Sequence, residues 1–451
     1  MTSNREHWGS RAGFILAAAG SAVGLGNIWK YPHMAGQHGG AAFTMVYLLC
    51  ILVVGLPILL AELSIGRRTQ LNPVGGFSLL SNNSNWKWVG FLGVASAFTI
   101  LSFYSVVGGW TIKYTVLALT GSFGKFSATG AAGDFFDAFV KNPVEPVFWH
   151  LVFMGLCVFI IDRGVKAGIE RWSKVLMPVL LGILVLLVFR GVTLDGAGAG
   201  LRFLFSPKWG DLDASGVVLA LGHSFFTISL GMGTMITYGS YLRRESDLIQ
   251  SALWIVALDT FIALMAGIAI FTAVFALGQN PAEGPGLIFV VLPSLFPHMP
   301  GGQFFAALFF FLLFVAALTS AISILEVVTA YFIDEKGWSR TRATNTFGAI
   351  IAFIGVLASL SNGNYNVLSP VTDLTFMDLL DKASSKYMLP LGGMLTAVFV
   401  LTRWGVDHFR DEIKSGAKWF QLNKQVITII FVIASLVVAY IFASELVALF
   451  R

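Results

Sequence analysis

Apolar residues along this chain neither alternate with polar ones nor recur as a helical stripe; they run almost unbroken in blocks of about twenty. A helix needs about 20 such residues to cross a bilayer, and eleven blocks qualify: 11–37, 41–66, 88–119, 147–162, 169–189, 216–240, 249–277, 303–333, 342–359, 375–402 and 425–449. The fourth is short and the third long. Between the seventh and eighth blocks lies a stretch, 279–302, that holds five prolines around an apolar centre. It is too long for a plain turn, and a small re-entrant or capping structure on the outer face is expected there.

Two blocks are interrupted. The first starts as an apolar helix at Arg11 and then passes through Gly20, Gly24 and Gly26 before turning apolar again. Each glycine costs roughly 1 kcal/mol against alanine inside a helix, so the pattern predicts a helix that stops and restarts. The sixth block is broken by Ser229, Gly231 and Gly233, five spans after the first break. A single Gly-x-Gly is read most simply as a close-packing device. Two interruptions at corresponding places in two halves point instead to an inverted-repeat transporter, in which unwound backbone lines a binding cavity.

Composition agrees: 56% of the 451 residues are hydrophobic and 12% charged, against roughly 25% charged in an ordinary soluble domain. The net charge of +5 is spread among loops, which points to membrane topology rather than nucleic acid. With the N-terminus inside, 19 of the 29 Lys and Arg residues fall on inner segments, as the positive-inside rule requires. The expected orientation is therefore N-terminus cytoplasmic and, after an odd number of spans, C-terminus extracytoplasmic, in the cell membrane. Cys50 and Cys157 lie in separate apolar blocks and are expected to be free thiols. A signal peptide is disfavoured at the N-terminus, because the helix resumes at Asn27-Ile28-Trp29 and enters a polytopic chain.

Several motifs now carry a resemblance. They are Arg5-Glu-His-Trp8, Gly20-Ser-Ala-Val-Gly-Leu-Gly-Asn-Ile-Trp29, Gly39-Gly40-Ala41, Thr227-Ile-Ser-Leu-Gly-Met-Gly233, Tyr238-Gly-Ser-Tyr241, Gly284-Pro-Gly286 and Leu318-Thr-Ser320. Each is weak alone; in this order and spacing the chain resembles the neurotransmitter:sodium symporter family, in particular its bacterial amino-acid carriers, over spans one to ten. The resemblance implies an all-α polytopic membrane protein with eleven transmembrane helices and a leucine-transporter-like 5+5 inverted repeat, helices 1 and 6 being broken. Its parts would be a cytoplasmic gate segment (1–10), a first five-helix repeat (11–189), an outer loop (190–215), a second, inverted repeat (216–402), a cytoplasmic loop (403–424), and the eleventh helix with the C-terminus (425–451).

The same resemblance assigns residues. One sodium ion would meet the carbonyl of Ala22, Asn27, Thr227, Asp259 and a substrate carboxylate oxygen; the other would meet the carbonyls of Gly20, Val23 and Ala316 with the hydroxyls of Thr319 and Ser320. Oxygen ligands suit a hard cation, and an ion that shares an oxygen with the substrate couples the two bindings reciprocally. Asp259 stands where many relatives carry Asn. Its fixed charge could replace the chloride that other relatives need, so chloride independence is expected. The substrate carboxylate would lie against the amides around Leu25, Gly24 and Gly26, at a half-helix N-terminus, and receive the Tyr104 hydroxyl. Its amino group would meet carbonyls near Ser21, Ala22, Phe226, Thr227 and Ser229, and its side chain a pocket of Ile100, Tyr104, Phe226, Met232, Ser320 and Ile324. Monoamine carriers place an Asp where this chain has Gly24; its absence favours a full amino acid, hydrophobic or aromatic.

For the gates, the family pattern pairs Arg5 with Asp334 on the inside, among Trp8, Ser240, Tyr241 and Glu326. On the outside it pairs Lys30 with Asp381, where relatives use Arg, and a point charge should make that gate looser. Glu62 would brace the broken helices, the alternative being a side chain that snorkels to the inner interface, and Gly168 with Pro178 would let helix five unwind. Sodium ions, two of them, and a small amino acid are the expected partners besides lipid. No organic cofactor, nucleic acid or obligatory protein partner is expected. The alternative kept open is a transporter of the same fold for a different small solute, or one with proton coupling. A channel, receptor or enzyme finds no continuous polar stripe, nucleotide loop, paired metal-ligand spacing or large extramembrane domain.

Overall fold

In a computed structural model the chain is described over residues 5–82, 84–281, 287–363, 365–366, 374–417 and 423–448, and among these it is helical with no strand. Eight helices are long and apolar enough to cross a membrane: Ala41–Thr69, Lys87–Leu119, Glu145–Asp162, Val165–Val192, Leu248–Ala276, Gly302–Lys336, Arg340–Leu360 and Phe376–Trp404. A ninth is the pair Arg11–Ala22 and Gly26–Gln37, bent by 46° at its break. The sixth expected span is divided into Ala214–Thr227 and Thr234–Gly239, and the eleventh is the helix Lys424–Ala448. Each of the eleven apolar blocks thus contains helix over its described residues, the sixth in two short pieces.

The two long helices Lys87–Leu119 and Gly302–Lys336 pack on each other at the centre, and the buried side chains form one continuous core around them. Most of their apolar residues are inside because neighbouring helices cover them, while Trp88, Phe91, Phe304 and Phe311 stay exposed towards their ends and on one face. By contrast the fourth and fifth spans show Phe148, Phe159, Val175, Val185 and Phe189 on the outside, which suits contact with acyl chains.

Proline shapes the middle of several helices. Four of the stretches that widen into π-helical turns, Gly26–Lys30, Ile51–Gly55, Leu287–Val291 and Ala383–Met388, end one residue before an X-Pro step: Pro32, Pro57, Pro293 and Pro390. Proline lacks the N–H that the carbonyl four residues earlier needs, and the widened turn carries the chain past the gap. The carbonyl freed by Pro293 belongs to Phe289, and it accepts from the Tyr114 hydroxyl at 2.9 Å. Lipid could not have supplied that partner.

Two expected loops contain helices: Ala197–Phe205 and Val406–Lys414. The second is amphipathic, burying Val406, Phe409 and Ile413, and it is pinned by the buried Arg67, whose Nε donates to Glu412 at 2.7 Å. Within 279–302 the described part is a run of short helices, Leu287–Val291, Leu292–Leu295 and Phe296–His298, with Leu287, Phe289 and Leu292 buried. Gly284-Pro-Gly286 lies outside the described residues. Cys50 and Cys157 are both free.

Candidate functional site: a cavity between two broken helices

The first helix ends at Ala22, and Val23 takes an extended conformation before the chain resumes at Gly26. In the sixth, the break runs from Ile228 to Gly233, with Ser229, Gly231 and Gly233 all at positive φ. Glycine adopts that region readily. At Gly231 space matters as well, since a Cβ there would run into the Leu389 carbonyl of the tenth helix.

The breaks are stitched to each other and to the eighth helix. Ser229 donates to the Ser21 carbonyl at 3.0 Å, and the Ser21 and Ser229 hydroxyls meet at 3.1 Å. Ser320 donates to the Ser21 carbonyl at 3.0 Å, with Gly20 O at 3.4 Å. Glu62 reaches in from the second helix: its Oε1 accepts the Gly231 N–H at 2.8 Å, and Oε2 is buried without a partner. A carboxylate braced on the unwound turn fits the role read from sequence, and its full burial rules out a side chain snorkelling to the interface.

Asp259, wholly buried on the seventh helix, is the second meeting point. Its Oδ1 accepts from Asn27 Nδ2 at 2.8 Å and from the Thr227 hydroxyl at 2.9 Å, while the Tyr47 hydroxyl lies 3.4 Å from Oδ2. Asn27 also holds the break itself, its Oδ1 accepting from the Gly24 N–H at 3.2 Å. Two residues of the first ion set, Asn27 and Thr227, therefore meet on a third, Asp259. Of the second set, Ser320 is on Gly20, and Thr319 lies beside Gly20. The Thr319 hydroxyl donates to its own helix, to Ala316 O at 3.0 Å and Val315 O at 3.1 Å.

Between the breaks is a small cavity lined by Ser21, Ala22, Gly24, Gly26, Ile100, Tyr104, Phe226, Ser229, Met232, Ser320 and Ile324. Its free volume, counted to its open edge, is about 270 Å³. The Tyr104 hydroxyl accepts the Leu25 N–H at 3.1 Å. A Cβ on Gly24 would strike the Ser320 hydroxyl and come within 2.8 Å of the Tyr104 hydroxyl. No carboxylate-bearing side chain fits at that position.

Both faces of the cavity are closed. On one, Lys30 Nζ pairs with Asp381 Oδ1 at 2.6 Å, braced by the Ser385 hydroxyl, and stands 4.2 Å from the centroid of the Phe226 ring. On the other, Arg5 pairs with Asp334, donates to Ser240 at 2.6 Å and lies over Tyr241. Burial acts against the Arg5 charge, but Tyr241 and Asp334 outweigh it and raise its pKa above the ordinary arginine value. Trp8 donates from Nε1 to the Tyr238 carbonyl at 3.0 Å. The Tyr241 hydroxyl donates to Glu326 at 2.6 Å. Residues not singled out from sequence complete this face: Arg340 grips Glu326 with two nitrogens at 2.7 and 3.1 Å and reaches Glu6 at 3.3 Å. Arg340 was visible only as one more inner basic residue, since its partner is chosen by the turn that folds the ninth helix back on the eighth. Gly168 lies in the π-helical turn Val165–Glu170, where a Cβ would meet the Ile160 carbonyl, and Pro178 sits inside the following helix.

The match to known proteins is broad. The model of the sodium:neurotransmitter symporter family matches residues 5–129 and 141–450. The sodium-dependent transporter YhdH of Bacillus subtilis is 39% identical over 439 residues, 95% of this chain and 96% of that one. A sodium-dependent transporter of Haemophilus influenzae is 34% identical, with 89% and 90% covered. Among solved structures, that of MhsT in complex with L-phenylalanine has a TM-score of 0.90 at 45% identity, covering 98% of this chain and 100% of that one. With its broken first helix, its apolar spans and these relatives, the chain belongs to the sodium:neurotransmitter symporter family: it is an integral membrane, sodium-dependent transporter of the leucine-transporter fold, and not an enzyme.

Proposed function

We propose that the protein is a symporter that carries a hydrophobic or aromatic amino acid together with two sodium ions by alternating access. The observation that carries this reading is the cavity between the two breaks, lined by apolar side chains together with main chain and hydroxyls. Gly24 leaves no place for an acidic side chain, so the carboxylate that belongs near an ion and the Leu25 amide must arrive with the substrate. Ile100, Phe226, Met232 and Ile324 would cover an apolar side chain, and methionine adapts to differing shapes. The phenylalanine bound to MhsT supports the same class. On this reading the first sodium shares the substrate carboxylate with Asp259, Asn27, Thr227 and the Ala22 carbonyl. The second lies among Gly20, Val23, Ala316, Thr319 and Ser320. Arg5–Asp334 faces the cytoplasm and Lys30–Asp381 the exterior.

Two sodium ions falling through 100 mV would release about 4.6 kcal/mol, enough for a roughly thousandfold accumulation of a zwitterion. Purified protein should gain thermal stability with bulky apolar amino acids in sodium and not in potassium. If none of the twenty amino acids shifted its melting in sodium, the substrate assignment would fail. Asp259 supports a second expectation: transport should persist when chloride is replaced by gluconate, and a large loss would show that the carboxylate does not stand in for the anion.

A further inference from the structure

A basic cleft lies away from the transport cavity, on the protein's exposed surface where the fourth helix meets the fifth. The fourth helix ends at Asp162; Gly164, at φ +83°, reverses the chain, and the π-helical turn Val165–Glu170 leads into the helix that starts at Arg171. Arg163 and Arg171 stand on the two sides of that reversal and, with Phe159, Ala167, Trp172 and Val175, line an open cleft of about 320 Å³. Both arginines are exposed, and among the described residues neither forms an ion pair. Arg163 lies over the Phe159 ring at 4.3 Å. The nearby Glu170 is already satisfied by the Gly9 N–H, the Ser10 hydroxyl and Lys174, so it does not neutralise the cleft.

The cleft's position decides what such a site can hold. Spans four and five leave the bilayer here, and their exposed faces beyond the cleft, with Val175 and Val179, are apolar. Two forked guanidiniums at the edge of an apolar wall match a group that is anionic at one end and greasy at the other. Arginine binds phosphate oxygens bidentately, and basic pockets between membrane helices hold anionic headgroups. Trp172 supplies the amphipathic ring common at that depth.

We propose that this cleft binds the phosphate of an anionic phospholipid between Arg163 and Arg171, with an acyl chain along Phe159 and Val175. One wall is the end of the fourth helix and the other is the turn containing Gly168, so an occupant would tie the two together. The inference rests on the membrane-spanning fold and not on the substrate or ion assignments.

The test uses the full chain in nanodiscs of phosphatidylcholine alone or mixed with phosphatidylglycerol. Native mass spectrometry after release into detergent counts retained phosphatidylglycerol, and amide exchange is followed over residues 163–172. Wild type should retain the lipid and exchange more slowly in the mixed discs. The R163Q/R171Q variant should hold it more weakly by roughly fivefold per charge, or about 25-fold in all. An R342Q/R403Q variant, which removes two exposed charges elsewhere, should behave as wild type. Equal retention by R163Q/R171Q and wild type, or equal loss in R342Q/R403Q, would overturn the site. Protection of 163–172 by inorganic phosphate in phosphatidylcholine discs, matching that by phosphatidylglycerol, would assign the cleft to free phosphate and overturn the lipid.

Discussion

The two ends of the transport cavity are closed by different amounts of structure. At the Lys30 end one ammonium meets one oxygen of Asp381, a carboxylate still 37% exposed, and rests over the Phe226 ring. At the Arg5 end a largely buried network runs Asp334–Arg5–Ser240 and Tyr241–Glu326–Arg340, ending at the exposed Glu6, with Trp8 clamped on the Tyr238 carbonyl. Exposed pairs contribute about 0.2–1 kcal/mol, whereas breaking a buried pair leaves a charge without its partner and costs far more. The contrast teaches that closure here is asymmetric: the Lys30 end is a light latch and the Arg5 end a lock with several bolts.

The largest test of that contrast is Arg340→Ala. It strips the wholly buried Glu326 of its guanidinium and should destabilise the closed Arg5 end by roughly 3–5 kcal/mol, read as faster amide exchange over residues 5–10. Unchanged exchange there would remove Glu326 and Arg340 from the closure. Arg5→Ala should have a smaller effect, about 1.5–3 kcal/mol, because Asp334 keeps the Asn72 N–H at 2.8 Å. A loss larger than that of Arg340→Ala would put the weight of the lock on this pair instead. Smallest should be Lys30→Ala, about 1–2 kcal/mol from the half-exposed pair and the ring contact together, seen as roughly five- to thirtyfold faster exchange over 376–388. If it matched Arg5→Ala, the two ends would be equivalent and the asymmetry wrong.

The unequal ends also show where reading the sequence stops. Lys30 and Asp381, or Arg5 and Asp334, could be named as pairs only through resemblance, since each pair is separated by more than three hundred residues. Nothing in the spacing of Glu326 and Arg340 announces a two-nitrogen grip; it depends on how tightly the ninth helix folds back. Glu62 shows the same limit. From sequence it was a brace or a snorkelling side chain, and only the packing shows its carboxylate buried on the Gly231 N–H and away from the surface. Thr319, expected as an ion ligand, keeps its hydroxyl proton on its own helix, a local bond that any buried threonine in a helix is placed to make.

What the sequence by itself determined is everything that depends on backbone chemistry and solvent preference over short distances. Long apolar blocks must be spans, because lipid tolerates nothing else. Glycine clusters and X-Pro steps must interrupt helices, because the missing side chain or N–H acts within one turn. The tertiary structure alone decided who satisfies the groups so exposed: Tyr114 for the Phe289 carbonyl, Glu62 for the Gly231 amide, Asn27 for the Gly24 amide. Those partners come from distant helices, and only the register in which helices pack brings a given hydroxyl, amide or carboxylate within 3 Å of the group that needs it.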